Sequence, residues 1–216
     1  MKVVFTAIFG PYDDLKEPTV ITPGWKYICF TDQPLKSKVW QIVHREMLPE
    51  GATRTARFYK IMFHRHIEEE YSIWIDASFQ INTNLDDWWN THFKTPMTCI
   101  NHPVRNCFYS EAGACIRLAK DATTLIRKQR ANYRQSGLPV RNGLIASGIL
   151  MRRMNQQTID LCDVWYQQVQ LYSARDQLGF AYAAWRVPVF NTIDWDYRHG
   201  KEFVYTPHLH KRQTQI

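Results

Sequence analysis

The N-terminal third of the chain alternates short apolar runs with a helical segment, and this alternation limits the fold more than any other feature. Three strand-like runs rich in β-branched and aromatic residues come first, at 2–9, 25–32 and 38–47. Residues 53–70 then show apolar positions at helical spacing, and a fourth strand-like run follows at 71–81. Strands that alternate with helices predict an α/β fold with a mostly parallel central sheet.

The rest of the chain continues this alternation. The further predicted elements are a loop and a basic helical segment at 101–136, a strand at 142–153, and helices at 158–170 and 175–186. Gly148 interrupts the strand, and a kink is expected there. No internal repeat and no low-complexity linker separates these elements, so the 216 residues predict one domain that spans 1–216.

Net charge narrows the class of partner that the chain attracts. The formal charge of +7 favours an anionic partner, such as nucleic acid, an acidic membrane surface or the phosphates of a nucleotide sugar. No segment contains a block of about five or six consecutive basic residues, so neither an arm that binds nucleic acid nor a polybasic anchor is indicated.

The cysteines and the N-terminal residues predict a cytoplasmic protein. The five cysteines include no Cys-x-x-Cys pair, and reduced thiols are the simplest account of an odd number. The apolar stretch at the N-terminus is too short for a signal peptide and ends at Gly10-Pro11. No run approaches the roughly 18 apolar residues of a membrane span.

Acidic residues stand where two of the predicted strands end. Ligands of open parallel sheets bind at the carboxyl ends of the strands, which gives Asp32 and Asp76 a common location. The helix between the third and fourth strands has to begin at the same edge. Its first turns carry Arg54, Arg57 and Lys60 on one face, where cations would meet phosphates. A solvated helix face is the alternative for all three bases, and for Arg54 it is preferred.

Four motifs resemble elements of nucleotide-sugar glycosyltransferases with the GT-A fold. The motifs are YSIWIDASF, NGLIASGILMRR, SARDQLGF and YTPHLH. They resemble, in that order, the strand that leads into an Asp-x-Asp metal site, an Asn-x-Gly strand, a helix that starts with Asp-Gln, and a C-terminal histidine that completes the metal site. The resemblance implies a GT-A-like α/β fold whose central sheet is flanked by helices.

A second set of motifs, in one order along nearly the whole chain, is similar to a little-characterised glycosyltransferase-like family. The shared motifs are TAIFGPYDDLKEP, ARFYK, IWIDASF, RNCFYSEA and SARDQLGF. Members occur in bacteria and among plant Golgi proteins connected with mucilage and cell-wall polysaccharide. The resemblance implies a glycosyltransferase that moves a sugar from a nucleotide-sugar donor to a hydroxyl acceptor, which would be a polysaccharide, a lipid-linked glycan or another glycoconjugate.

The resemblance also implies a divalent metal site. Asp76 would ligate Mn²⁺ or Mg²⁺, hard cations that take oxygen ligands and bridge phosphates, and either His208 or His210 would add an imidazole. The chain departs from the family pattern at Ser78, where the second acid of the motif is expected. Metal binding would then be weak, mediated by water or absent, and basic residues would neutralise the diphosphate instead.

Further roles are carried over from the resemblance. The nucleoside pocket would be lined by Thr6, Ala7 and Asp32, and the diphosphate would face Arg57 and Lys60. The transferred sugar would lie beside the catalytic residues Asp176 and Gln177 and above a floor formed by Ser147 and Gly148. Ser78 would also belong to the donor-binding residues. The predicted loop after residue 101 would contact the acceptor through His102, Arg105, Tyr109 and Glu111.

Two alternatives for single residues stay open at this point. The literal Asp-x-Asp of the chain, Asp194 and Asp196, ranks below Asp76 as a metal site because Pro188 favours an edge strand or a loop before it. The motif SARD also resembles a capping box, in which Ser173 and Asp176 would only start a helix.

Two other functions compete with glycosyl transfer. A metal-dependent nucleotidyltransferase would use a similar sheet, but it needs a Gly-rich basic loop after the first strand, where this chain has the acidic GPYDDLKEP. A non-catalytic nucleic-acid-binding protein needs a basic stripe with aromatic platforms, whereas the bases here are spread over several elements. No nucleic-acid partner is therefore expected, and a lipid-linked acceptor would bring peripheral association with a membrane.

Overall fold

A computed structural model describes residues 1–206, which form one large and one small sheet with helices on both faces of the large one. The strands are β1 Lys2–Ile8, β2 Trp25–Thr31, β3 Gln41–His44, β4 Tyr71–Ile75, β5 Phe79–Ile81, β6 Met97–Asn101, β7 Ile145–Arg153, β8 Asn191–Ile193 and β9 Phe203–Tyr205. The helices are α1 Ala52–Ile61, α2 Leu85–His92, α3 Phe108–Arg117, α4 Thr123–Gln135, α5 Gln156–Leu171 and α6 Asp176–Arg186, with a short 3₁₀ turn at Phe63–Arg65.

The large sheet has the strand order β3-β2-β1-β4-β7-β6-β8. Only β7 runs antiparallel to its neighbours β4 and β6, while every other pair in this sheet is parallel. The prediction of an α/β fold with a mostly parallel sheet flanked by helices is confirmed. β5 and β9 pair separately as a small antiparallel sheet.

Alternating side chains of the central strands supply the two layers of the core. From β1, Phe5 packs into a layer shared with α1, α5 and α6, which contribute residues such as Trp165 and Phe180. Val4 packs into the opposite layer with the tryptophans of α2, Trp88 and Trp89. The sheet is therefore covered on both sides, and its carboxyl edge is the place left for a ligand. Among the helices of residues 1–206, none has the length and apolar character that a membrane crossing requires.

The predicted C-terminal end of the first helix was wrong. The helix predicted at 53–70 ends at Ile61, because the chain has to turn back into β4, and the buried Phe63 packs in the turn rather than on a helix face. No side chain caps α1, whose N-cap residue is Gly51. The hydroxyl of Thr55 instead donates to the carbonyl oxygen of Gly51 at 2.8 Å.

The segment predicted as a loop and one basic helix at 101–136 contains two helices. Residues 108–117 form α3, and α4 begins only at Thr123. Ala119, between them, has a φ of 46°, a left-handed conformation that ends the first helix. The two helices pack around Tyr133 and Ile126 in a third apolar cluster, which explains why a polar-looking segment folds as helix.

β7 carries a bulge at the predicted kink. Cys99 of β6 pairs with Leu150, but the next residue of β6 pairs with Ala146, so residues 147–149 have no direct partner on β6. The bulge brings the backbone of Gly148 against the ring of Phe79, where a Cβ atom would lie 2.6 Å from Cε2. Glycine is therefore required at this position by close approach of a ring.

We expect Gly148→Ala to lower the free energy of unfolding by about 1–3 kcal/mol, because the ring of Phe79 has to move. The matched control is Gly113→Ala in α3, where a Cβ would meet nothing within 4 Å and should stabilise the helix by about 0.4–1 kcal/mol. Urea denaturation of both variants measures the difference. Equal effects at the two glycines would contradict the packing at the bulge.

Candidate active site

A cavity of about 300 Å³ opens at the carboxyl edge of the sheet. Its floor is the end of β4 and the bulge of β7, and its walls come from α3, the start of α6 and the segment after β8. The predicted site residues that line it are Arg57, Asp76, His102, Arg105, Glu111, Ser147, Gly148, Asp176 and Gln177. Tertiary structure thus brings together residues that stand more than a hundred positions apart in sequence.

A smaller cavity of about 60 Å³ adjoins the first. It lies between the end of β1 and the N-terminal half of α1, where Ala7 faces the small side chains of Ala52 and Ala56. Tyr12, Arg57 and Asp76 line both cavities and so mark their junction.

Lys60 is the buried centre of the site. Its side chain has no exposed surface, and its Nζ lies 3.0 Å from Asp76 Oδ1 and 2.5 Å from Asp176 Oδ2. It also donates to Ser147 Oγ at 3.3 Å. The prediction had Lys60 facing the diphosphate, but the ammonium lies beneath both carboxylates and lines neither cavity. Its charge acts on a ligand through the field and not by contact.

Asp176 is the counterion of two bases. One carboxylate oxygen lies 3.4 Å from Arg57 Nε, and the other accepts a hydrogen bond from Ser147 Oγ at 2.8 Å besides contacting Lys60. Burial disfavours the ionised form, but the charges of Arg57 and Lys60 outweigh burial and hold the pKa of Asp176 well below its usual range. With both oxygens engaged, this carboxylate positions the bases and is poorly suited to accept a proton.

The capping-box alternative for SARD does not describe the start of α6. The N-cap residue is Arg175, and no side chain caps it. Ser173 donates its hydroxyl hydrogen to Asp121 Oδ2 at 2.7 Å. Asp176 keeps a favourable place in the first turn of the helix, but its carboxylate is turned towards the charge cluster.

Asp76 ends β4 at the junction of the cavities. Its backbone N–H donates to the carbonyl oxygen of Gly148 at 2.8 Å, which ties the strand end to the bulge. Its Oδ1 accepts hydrogen bonds from Trp74 Nε1 at 2.8 Å and from Lys60 at 3.0 Å. Its Oδ2 lies over Gly148, 3.5 Å from the place of a Cβ atom. The side chain is 24% exposed and reaches both cavities.

The remaining residues predicted on the donor side have separate roles. The carboxylate of Asp32 accepts from the backbone N–H of Gly10 at 2.9 Å and so holds the loop after β1 beside the smaller cavity. Thr6 is buried on the opposite face of β1 from Ala7 and lines neither cavity. Ser78 is also buried outside both cavities, in the turn after β4, where its carbonyl oxygen accepts from the N–H of Thr206 at 2.7 Å.

One wall of the larger cavity carries three of the predicted acceptor residues. Arg105 is paired with Glu111, and His102 lies beside both. Burial lowers the pKa of His102, and its Nδ1 accepts two backbone N–H bonds, so the neutral ring carries its hydrogen on Nε2. Tyr109 and Glu111 belong to α3 and not to a loop. The hydroxyl of Tyr109 donates to the carbonyl oxygen of Leu138 at 2.8 Å, away from the cavity.

Gln177 and Arg175 complete the α6 side of the cavity. The side-chain amide of Gln177 donates to the carbonyl oxygen of Ile145 at 3.0 Å and accepts from Arg175 Nη2 at 3.0 Å. Gln177 is therefore a link between α6 and the start of β7. The sequence prediction missed Arg175, although it directly precedes the Asp-Gln pair that was singled out.

An aromatic wall was also missed. Phe79, Tyr197 and Tyr205 line the larger cavity, with ring centroids 5.4–6.1 Å apart. Flat rings of this kind suit the apolar faces of sugars. The available signal was the overall aromatic content of 14%, which does not single out residues contributed by three separate segments.

The described residues do not supply the donor set of a divalent metal. Within residues 1–206 no three His, Cys, Asp or Glu side chains lie close enough to hold a metal ion. At the predicted site Asp76 shares Oδ1 with an ammonium, and Ser78 lies outside the cavities. The predicted ligands His208 and His210 lie outside the described residues.

The Asp-x-Asp sequence formed by Asp194 and Asp196 lies beside an edge strand of the large sheet. Asp194 directly follows β8, the last strand in the order, as Pro188 suggested. Its Oδ1 accepts from Asn101 Nδ2 at 2.6 Å. Asp196 is paired with Arg198 at an exposed position. Neither carboxylate lines the two cavities.

We expect Asp176→Asn to destabilise the protein at pH 7 by about 3–5 kcal/mol, because Arg57 loses its ion pair and the buried Lys60 keeps only Asp76. Since the folded-state pKa is depressed, this contribution is present above the unfolded pKa of about 3.9 and is lost as the pH falls towards the folded pKa. The difference in free energy of unfolding between wild type and variant, measured by urea denaturation, should therefore become smaller below about pH 4. Asp87→Asn, an exposed acid in the first turn of α2, is the control. A constant gap across this pH range would contradict the ion-pair assignment.

Comparison with known proteins agrees with the resemblance drawn from the motifs. Among solved structures, the apo form of mouse xyloside xylosyltransferase 1 matches with a TM-score of 0.48 and 10% sequence identity, over 89% of this chain and 84% of that one. A search of curated proteins finds no match. The family model described as "TOD1/MUCI70, glycosyltransferase-like domain" matches residues 30–199. The chain therefore belongs to the TOD1/MUCI70 glycosyltransferase-like domain family.

Proposed function

We propose that this protein transfers a sugar from a nucleotide-sugar donor to a hydroxyl group of a glycan, a lipid-linked glycan or another glycoconjugate. The observation that carries the proposal is the pair of joined cavities at the carboxyl edge of the sheet, with Arg57 and Asp76 at their junction. A nucleotide sugar has the same division into a nucleoside, a charged diphosphate and a sugar. Membership of a glycosyltransferase-like family supports it.

In this proposal, each part of the donor lies where the site has a matching character. The nucleoside lies across the mouth of the smaller cavity, against the end of β1 and α1, and the diphosphate lies at the junction beside Arg57. The sugar lies over the bulge at Gly148, which forms part of the cavity floor, and against the aromatic wall formed by Phe79, Tyr197 and Tyr205. The acceptor then approaches from the wall that carries Glu111.

Asp76 is the carboxylate available to the substrate. Three carboxylates of the described residues line the larger cavity. The side chains of Asp176 and Glu111 are 3% and 5% exposed and are paired with bases, whereas Asp76 is 24% exposed and has Oδ2 turned to the cavity floor. In this proposal Asp76 orients the acceptor hydroxyl and accepts its proton, while the bases stabilise the leaving diphosphate.

The other functions weighed for the sequence have less support. The bases of the larger cavity include Arg105, which is paired with Glu111, and Arg57, which faces Asp176. They lie in a concave site of mixed charge, which differs from the basic stripe of a nucleic-acid surface. The cytoplasmic location, the extent of the domain over 1–216 and peripheral membrane association stay predictions.

Thermal-shift measurements against a panel of nucleotide sugars, each with EDTA, Mn²⁺ or Mg²⁺, test the proposal. A donor that binds the folded state at a hundred times its Kd should raise Tm by roughly 5–10 °C. If no nucleotide sugar and no nucleoside diphosphate raises Tm under any of these conditions, the proposed function is wrong.

Asp76→Asn should lower kcat/KM for release of nucleoside diphosphate from the donor at least about a hundredfold, the lower end of what a positioned proton acceptor contributes. The amide keeps the size of the side chain but does not accept a proton. Asp87→Asn makes the same change at an exposed helix position and should leave kcat/KM unchanged. Near wild-type turnover of Asp76→Asn, at equal protein stability, would remove Asp76 from the mechanism.

A further inference from the structure

Arg57 carries a set of hydrogen-bond donors that the described protein does not use. Its side chain is only 17% exposed, yet within residues 1–206 it makes one ion pair, from Nε to Asp176 at 3.4 Å, and no hydrogen bond of good geometry. Its Nε faces Asp176 and is inaccessible to solvent, so a ligand can meet only the donors of the two Nη atoms. Arg57 lines both cavities, and residues 1–206 supply no hydrogen-bond acceptor to these Nη donors. Free guanidinium donors at a cleft suit a ligand that supplies acceptors.

The place of Arg57 indicates which part of a donor it would meet. It lines both cavities and therefore lies where the smaller one, assigned to the nucleoside, joins the larger one, assigned to the sugar. In a nucleotide sugar the diphosphate connects these two parts. Diphosphate oxygens are strong acceptors that match the planar fork of a guanidinium.

The charges around the junction favour an anion there. Three cations, Arg57, Lys60 and Arg175, surround two carboxylates, Asp76 and Asp176, which leaves a surplus of positive charge. The Nε atom of Arg175 is also buried without a hydrogen-bond partner. Asp176 sits between Arg57 and Lys60 and holds them in place, so the positive groups are fixed before a ligand arrives.

The same residues suit a divalent cation poorly. The one open carboxylate at the junction, Asp76, has an ammonium 3.0 Å from its Oδ1, and a second cation beside it would be repelled. Arg57 lines the same junction, so a cation held there by Asp76 would also face a guanidinium. Within residues 1–206, the side chains at the junction therefore suit an anion better than a divalent cation.

We propose that the guanidinium of Arg57, with Arg175 beside it, neutralises the donor diphosphate, so that donor binding and transfer proceed without a divalent metal. This inference rests on the proposed function. In the transfer the bond between the anomeric carbon and the diphosphate oxygen breaks, and its electron pair stays on that oxygen. The acceptor oxygen bonds to the anomeric carbon and gives its proton to Asp76. Negative charge grows on the diphosphate during this step, next to the fixed guanidinium groups.

Titration calorimetry of the full chain with UDP, GDP, ADP and CDP, in EDTA and in Mn²⁺, tests the inference. We expect at least one of these nucleoside diphosphates to bind, with Kd values that agree within about threefold in the two buffers, because the fixed guanidinium groups already supply the charge. Arg57→Lys keeps the charge but loses the fork and should raise Kd at least about tenfold.

The matched control is Arg54→Lys, one turn earlier on α1. Arg54 donates to the carbonyl oxygens of Val169 and Tyr172 and lines neither cavity, so this variant should keep the wild-type Kd. The Tm of each variant shows that it is folded. The comparison of wild type in the two buffers does not depend on any variant.

The outcomes separate the inference from the proposed function. Binding that needs Mn²⁺ would overturn the inference and leave the proposed function standing. Equal binding by wild type and folded Arg57→Lys would overturn the role of Arg57. Absence of binding by every nucleoside diphosphate and nucleotide sugar, in both buffers, would overturn the inference together with the proposed function.

Discussion

The buried ammonium of Lys60 is the constraint on which the candidate site depends. It joins the last turn of α1, the end of β4 through Asp76 and the first turn of α6 through Asp176. Removing an ammonium from water is costly unless its partners compensate, and here two carboxylates and the Ser147 hydroxyl do so. The backbone is held as well, because the fully buried Arg152 donates to the carbonyl oxygen of Lys60 at 2.7 Å. The positions of the strand end, the helix and the cavity floor are therefore coupled through one charge.

The charges of the site divide into an inner and an outer group. Lys60 and Asp176 are paired at the base of the site, where both side chains are almost fully buried. Asp76 and Arg57 are held by this inner pair and line both cavities, with Asp76 Oδ2 turned to the cavity floor. The charged side chains of such a site need little reorganisation when a charged substrate binds, because the inner pair already holds them in position. The aromatic wall on the other side supplies the apolar surface that a sugar ring needs.

The order of strands and helices was largely predictable, because it follows from local periodicity. β1, β2 and β4 were each marked by an apolar run, and Gly148 marked the bulge of β7. The errors in predicted secondary structure occur where buried residues outside a helix happen to have helical spacing, or where a helix has a polar sequence. Phe63 occupies a helical position in the sequence but packs in a turn, and α3 was taken for a loop. In both places the tertiary core, and not the local pattern, decided the backbone conformation.

For the site, the sequence by itself determined that Asp76 ends a central strand and that α1 starts at the same edge, since strand ends and helix starts are set by local patterns and sheet geometry. Only the tertiary structure decided that Asp176, a hundred residues later, would be the counterion of Arg57 and Lys60 and not a free base. Only the tertiary structure also placed Tyr197 and Tyr205 with Phe79 along the cavity. The reason is physical. Whether a buried charge is paired or available depends on which side chains from distant parts of the sequence pack beside it, and the periodicity of a local segment does not predict those contacts.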